Sequence, residues 1–146
     1  MSEGRTIWVL NGPNLNLLGT REPEIYGYDT LDDIAARMED VAARAHVEIE
    51  SRQSNHEGEL IDWLHEAGAA NAHAVILNAG ALTHTSLALC DAIRSITVPV
   101  IEVHISNPAA REEYRHHSYV GMAAKGSIAG FGPMSYMLAL EAALEL

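Results

Sequence analysis

Short apolar runs alternate along this chain with longer segments of helical spacing, and that alternation limits the fold more than any other feature. Thr6 to Leu10, Val47 to Glu50, Ala74 to Leu77, Val98 to Val103 and Ser127 to Phe131 read as five strands. The Ala-Val-Ile-Leu run at 74–77 has no polar alternation, as a strand covered on both faces requires. Leu31, Ile34, Ala35, Met38, Val41, Ala42 and Ala45 share one face of a helix that Thr30 would cap, with Asp32 and Asp33 in its first turn. A helix from about Glu57 carries Leu60, Ile61 and Leu64, and Gly68 is its expected C-cap. A further helix carries Leu82, Ser86, Leu89, Cys90 and Ile93, and Pro133 opens a last one with Met137, Leu140 and Leu144. Strands alternating with helices give βαβ units, right-handed crossovers and a parallel sheet. The expected architecture is a flavodoxin-like three-layer α/β/α sandwich with strand order 2-1-3-4-5, formed by residues 1–146 as one domain.

In such sheets ligands bind beyond the carboxyl ends of the strands, at the switch point. The polar, Gly- and Pro-rich stretches at 11–28, 78–86 and 104–117 follow strands 1, 3 and 4, which would be neighbours. Asn11, Asn14, Arg21, Tyr26, Asn78, His84, His104, Ser106, Arg111 and Arg115 are therefore expected around one cleft, while the loops after strands 2 and 5 offer less. Asn107-Pro108 would open a short helix, with the backbone near Ile105 and Ser106 available to an anion. Arg111 and Arg115, four residues apart, would share a face of that helix. They either serve an anionic or hydroxyl-rich ligand or pair with Glu112 or Glu113, and spacing alone leaves both open. Glu102 alternates with apolar neighbours. A buried carboxylate needs a partner, and His104, two residues on and on the same strand face, is the natural one. Asp91, mid-helix and near Arg94, reads by default as a surface carboxylate.

Charge excludes some functions. Nine cations face twenty anions, for a formal net charge of −11, which disfavours nucleic acid and anionic membrane as partners. Lys125 is the only lysine, so Schiff-base chemistry has one place to go. Histidine spacing shows no metal-ligand pattern, and no phosphate-binding glycine motif occurs. A single cysteine, Cys90, excludes an internal disulfide. With no visible leader and no apolar run of spanning length, a cytoplasmic protein is expected. The fold alone leaves a flavin or nucleotide ligand open.

The motifs narrow this further. Leu10-Asn11-Gly12-Pro13-Asn14-Leu15-Asn16-Leu17-Leu18-Gly19-Thr20-Arg21-Glu22-Pro23, followed by Tyr26-Gly27, resembles the signature of the type II 3-dehydroquinate dehydratases. Arg52-Gln53-Ser54-Asn55, His56-Glu57-Gly58, Leu77-Asn78-Ala79-Gly80, Thr83-His84-Thr85-Ser86, Ile101 to Asn107 and Arg115-His116-His117-Ser118 follow the same pattern in order and spacing. The resemblance implies a cofactor-independent enzyme of the shikimate pathway that removes water from 3-dehydroquinate in the anti sense, through an enolate, to give 3-dehydroshikimate. It implies that Tyr26 is the base at C2, with Arg21 beside it on a mobile lid. His104 would be the acid for the C1 hydroxyl, oriented by Glu102, and Asn14 would hold a water at the enolate oxygen. Asn78, Ile105 and Ser106 would bind the carboxylate and C1 region, and His84 and Arg115 the ring hydroxyls. The family's dodecamer, a tetramer of trimers, would bring Asp91 to a neighbouring subunit's site. A free phenol titrates near 10, and a guanidinium within a few ångströms moves a pKa by about 1–3 units. A tyrosine base therefore calls for arginine beside it, here Arg21 with Arg111 as a further neighbour.

Overall fold

A computed structural model describes residues 5–146; residues 1–4, the start of the expected single domain, lie outside the described residues. The chain runs β1 (Thr6–Asn11), α1 (Pro23–Tyr26), α2 (Leu31–Arg44), β2 (Glu48–Gln53), α3 (Glu57–Ala69), β3 (Ala74–Asn78), α4 (Leu87–Arg94), β4 (Val100–His104), α5 (Tyr119–Ala123), β5 (Gly126–Ala129) and α6 (Met134–Leu144). All strand pairs are parallel and the order is β2-β1-β3-β4-β5, as the alternation predicts.

Strand alternation divides the interior into two cores. Ile7, Val9, Ala74, Ile76, Ile101 and Val103 pack under α2 and α6. Trp8, Leu10, Val75, Leu77 and Val100 pack against Leu60 and Leu64 of α3, Leu89 and Ile93 of α4 and Val120 of α5. The same parity sends Asn11 and Asn78 to the α2–α6 side and Glu102 and His104 to the α3–α4–α5 side. Thr30 caps α2 in a full capping box with Asp33, which meets the expectation for that helix start.

Some element boundaries differ from the sequence reading. Gly68 does not end α3, which continues to Ala69. A Cβ at Gly68 would come within 2.8 Å of Ile96 Cγ2, so the glycine serves close packing instead of a cap. The helix expected from Leu82 is divided into a 3-10 turn at Gly80–His84 and α4, whose N-cap is Ser86. The short helix after Pro108 is also divided. Pro108–Ala110 and Glu113–Arg115 are separate 3-10 turns, with Arg111 extended between them at φ −105° and ψ −161°. Arg111 and Arg115 therefore do not share a helix face.

Candidate active site

At the carboxyl end of the sheet, the segments after β1, β3 and β4 enclose a cleft open to solvent at its mouth, where open α/β sheets bind small molecules. Asn14, Arg21, Tyr26, Asn78, His84, His104, Ile105, Ser106, Arg111 and Arg115 all line it. Glu102 lies beneath His104. Asp91 is exposed on α4 and is not among the lining residues. Asn11, expected in the cleft, is fully buried behind it.

The first loop is held where it is by short-range necessities. Gly12 donates its N–H to the Asn78 carbonyl at 2.7 Å. A Cβ at Gly12 would lie 2.5 Å from the Ala79 carbonyl oxygen, so only glycine lets the two loops cross. Asn14 takes a left-handed conformation, φ 70°, which asparagine tolerates better than most residues. Its N–H donates to Asn55 Oδ1 at 3.0 Å, and Gln53 Nε2 donates both to that oxygen and to the Gly12 carbonyl. The loop after β2 thus anchors the loop after β1. Sequence reading discounted the β2 loop, although its polar Gln-Ser-Asn run beside strand 1 was a usable signal.

Two chemical groups face the cleft. On one side Tyr26 ends α1. Arg111 Nη1 donates to the Tyr26 phenol oxygen at 2.9 Å and to Ser106 Oγ at 3.2 Å. Arg21 stands with its guanidinium carbon 5.1 Å from the Tyr26 ring centroid and pairs with exposed Glu22 at 3.1 Å. The charge that meets the phenol oxygen is therefore Arg111, which was expected only as a further neighbour, while Arg21 lies over the ring face. A cation hydrogen-bonded to that oxygen stabilises negative charge on it.

On the other side His104 Nε2 donates to Glu102 Oε2 at 2.8 Å, the pairing that strand alternation predicts. Ser118 Oγ donates to the same oxygen at 2.6 Å, and Ser127 Oγ to Oε1 at 2.5 Å. Burial pushes the Glu102 carboxyl up, but the hydrogen bonds from His104, Ser118 and Ser127 outweigh it and hold the group at about 2. Glu102 is therefore an anion at neutral pH, its partner nitrogen carries a proton, and His104 Nδ1 is left for the second one. A Cβ at Gly121 would meet Glu102 Oε1 at 2.8 Å, so glycine makes room for the carboxylate. Neither serine was singled out from the sequence. Ser127 reaches the carboxylate from β5 itself and not from the loop after it.

His84 Nδ1 donates to the His117 carbonyl at 2.8 Å, and its ring stacks 6.4 Å from that of His104. Burial pushes the His84 imidazole down; the His117 carbonyl opposes this, and the nearby His104 and Arg115 charges add to it. A neutral His84 keeps Nε2 as an acceptor. Arg115 Nε pairs with Glu112 at 2.8 Å, and Arg111 Nε lies 3.8 Å from the same carboxylate. Both readings of the two arginines thus hold together: they line the cleft and share Glu112. Among the described residues, no three His, Cys, Asp or Glu side chains gather as metal ligands, and no helix is long and apolar enough to cross a membrane.

Comparison with known proteins identifies the family. The family model described as dehydroquinase class II matches residues 5–144. A 3-dehydroquinate dehydratase of Caulobacter vibrioides is 59% identical over 142 residues, covering 97% of each chain. One from Variovorax paradoxus is 59% identical, covering 94% of this chain and 97% of its own. The crystal structure of a type II dehydroquinase from Propionibacterium acnes superposes with a TM-score of 0.94 at 43% identity, covering 100% of both chains. The chain belongs to the class II dehydroquinase family.

Proposed function

We propose that the cleft converts 3-dehydroquinate into 3-dehydroshikimate and water. The observation that carries the reading is the pairing of Arg111-bound Tyr26 with Glu102-bound His104 around one cleft. The relatives named 3-dehydroquinate dehydratase support it along nearly their whole length.

Tyr26, as phenolate, takes the C2 proton, and the electron pair moves into an enolate. A water held by Asn14 donates to the enolate oxygen. The enolate then expels the C1 hydroxyl, which takes a proton from His104 and leaves as water. Afterwards Tyr26 holds a proton that His104 lacks, and exchange with solvent restores both. Glu102 keeps the imidazole oriented and stabilises its protonated form. Asn78, Ile105 and Ser106 bind the substrate carboxylate and C1 region, and His84 and Arg115 bind ring hydroxyls. Arg21, on the loop that closes, adds positive charge beside Tyr26 and helps exclude water. No lysine is involved, since Lys125 lies outside the lining. Family membership separates this reading from the flavin alternative.

We further infer that residues 1–146 act as one domain in the cytoplasm, in a dodecamer built as a tetramer of trimers, with Asp91 serving a neighbouring subunit's site. Sedimentation of the pure protein as a monomer would refute that assembly. The test of the chemistry is the rise in ultraviolet absorbance of the conjugated enone after adding 3-dehydroquinate. Wild-type protein should give it, and Tyr26→Phe and His104→Ala, each folded, should lose turnover by orders of magnitude. Near-normal kcat in Tyr26→Phe would remove Tyr26 as the base.

A further inference from the structure

Behind the cleft lies a polar chain of which the mechanism above uses only the last member, Asn78. Tyr136, in the first turn of α6, is 0% exposed, and a buried phenol needs hydrogen-bond partners. Its partners are two asparagines, Asn11 at the end of β1 and Asn78 at the end of β3, which stand opposite each other in the parallel ladder. The phenol oxygen lies 2.7 Å from Asn11 Oδ1 and 2.9 Å from Asn78 Nδ2.

The direction of each bond is fixed by the ends of the chain. At one end the Arg52 carbonyl only accepts, so Asn11 turns its NH2 toward it, at 3.3 Å. That leaves Asn11 Oδ1 facing the phenol, and Tyr136 must donate to it. The phenol oxygen is then the acceptor for Asn78 Nδ2. At the other end the Gly80 N–H only donates, and it meets Asn78 Oδ1 at 3.2 Å. The Asn78 carboxamide is thus committed twice: its oxygen to Gly80 and one amide hydrogen to Tyr136. What its nitrogen has left for the cleft is a single N–H. Burial also pushes the Tyr136 phenol well above the ordinary tyrosine range, against the opposing hydrogen bond from Asn78, so it remains a donor at every working pH.

We propose that Tyr136 is a positioning residue: acting through the Asn11–Tyr136–Asn78 chain, it makes Asn78 present an N–H donor to the cleft and never a carbonyl oxygen. That polarity suits an anionic or carbonyl-bearing ligand and penalises the flipped amide, whose oxygen would face the ligand's own acceptors. The proposal rests on the reading that the cleft takes 3-dehydroquinate.

Tyr136→Phe removes one oxygen and keeps the ring. It frees Asn78 to rotate, and KM for 3-dehydroquinate should rise about tenfold, the worth of one such hydrogen bond, with kcat within about threefold of wild type. A purely structural role would lower thermal stability without that split. In an Asn78→Ala background the same Tyr136→Phe change should leave kcat/KM where Asn78→Ala put it. Asn11→Ala breaks the chain from its other end with the phenol retained, and it should raise KM likewise; it carries the test alone if Tyr136→Phe does not fold. A normal KM in the folded variants, or equal losses in both backgrounds, overturns the proposal while the functional reading stands. If wild-type protein forms no enone from 3-dehydroquinate, the functional reading falls and this proposal falls with it.

Discussion

Replacing Glu102 by glutamine tests the charge under His104 with little change of shape. Glu102 is 4% exposed and receives three donors, from His104, Ser118 and Ser127. In Glu102→Gln the side-chain oxygen can stay at the position that accepts from His104 and Ser118. The new NH2 then faces Ser127, whose hydroxyl can turn to accept. The hydrogen-bond count survives and the negative charge is lost. A hydrogen bond to a charged group is worth about 1.5–3 kcal/mol against about 1 for a neutral one. Most of that difference falls on the protonated imidazole, the form that delivers the proton in the proposed mechanism. The basic limb of the kcat–pH profile should therefore move down by about 1–2 units, and kcat at neutral pH should fall about 10- to 100-fold. Stability should respond on its own axis. The Glu102 carboxyl is lowered from 4.5 to about 2 in the fold, so its contribution is complete above the unfolded value and is lost as pH falls toward 2. At 1.36 kcal/mol per unit it amounts to about 3 kcal/mol at pH 7, with roughly half gone by pH 3. Urea unfolding at pH 7 and pH 3 should show wild type losing that increment and Glu102→Gln lacking the loss. The enone assay across pH reads the first effect. A variant with wild-type kcat and an unmoved basic limb would refute the assigned role of the charge, whatever the stability data show.

Two further outcomes follow from the same geometry. Arg111→Met removes the donor to the Tyr26 oxygen. It should lower kcat by about 10- to 100-fold and shift the acid limb of the profile upward, whereas Arg21→Met, which leaves that hydrogen bond in place, should shift the limb less; equal shifts would contradict the ordering of the two arginines. Gly12→Ala places a carbon 2.5 Å from the Ala79 carbonyl oxygen, so it should cost about 1–3 kcal/mol in chemical denaturation, with activity falling because the Asn14 loop must move; an unchanged unfolding midpoint would contradict the crossing argument.

The legible part of the site was the part written locally. Glu102 and His104 are two residues apart on one strand, so alternation alone implies their contact. Asn14, Tyr26, Asn78, His84 and Arg115 follow strands that the 2-1-3-4-5 order makes neighbours, and the cleft gathers them for that reason. What escaped depends on partners far away in sequence. Tyr136 is 125 residues from Asn11 and 58 from Asn78, and at helical spacing among apolar residues it reads as core. Ser127 reaches Glu102 from a neighbouring strand 25 residues on, and a lone serine on an edge strand carries no local signal. The two arginines show a third kind of failure. Their four-residue spacing implies a shared helix face, but the chain extends at Arg111. That single break sends one guanidinium to Tyr26 and leaves the other beside Glu112.

The excess of acidic residues is compatible with an anionic substrate because of how the carboxylates near the cleft are held. Glu102 is buried, and its charge is answered at both oxygens by the imidazole and two hydroxyls. Glu22 and Glu112 pair with Arg21 and Arg115, but both carboxylates are roughly half exposed, at 44% and 46%, where solvent weakens such pairs. Arg111 and Arg115 are much more covered, at 15% and 19%. A charge near a low-dielectric wall acts further than one in water, so the covered Arg111 and Arg115 weigh more inside the cleft than the half-exposed glutamates. The net charge of −11 sets how the whole molecule meets polyanions. The binding of one small carboxylate depends on which charges are covered, and here the covered ones at the mouth are positive.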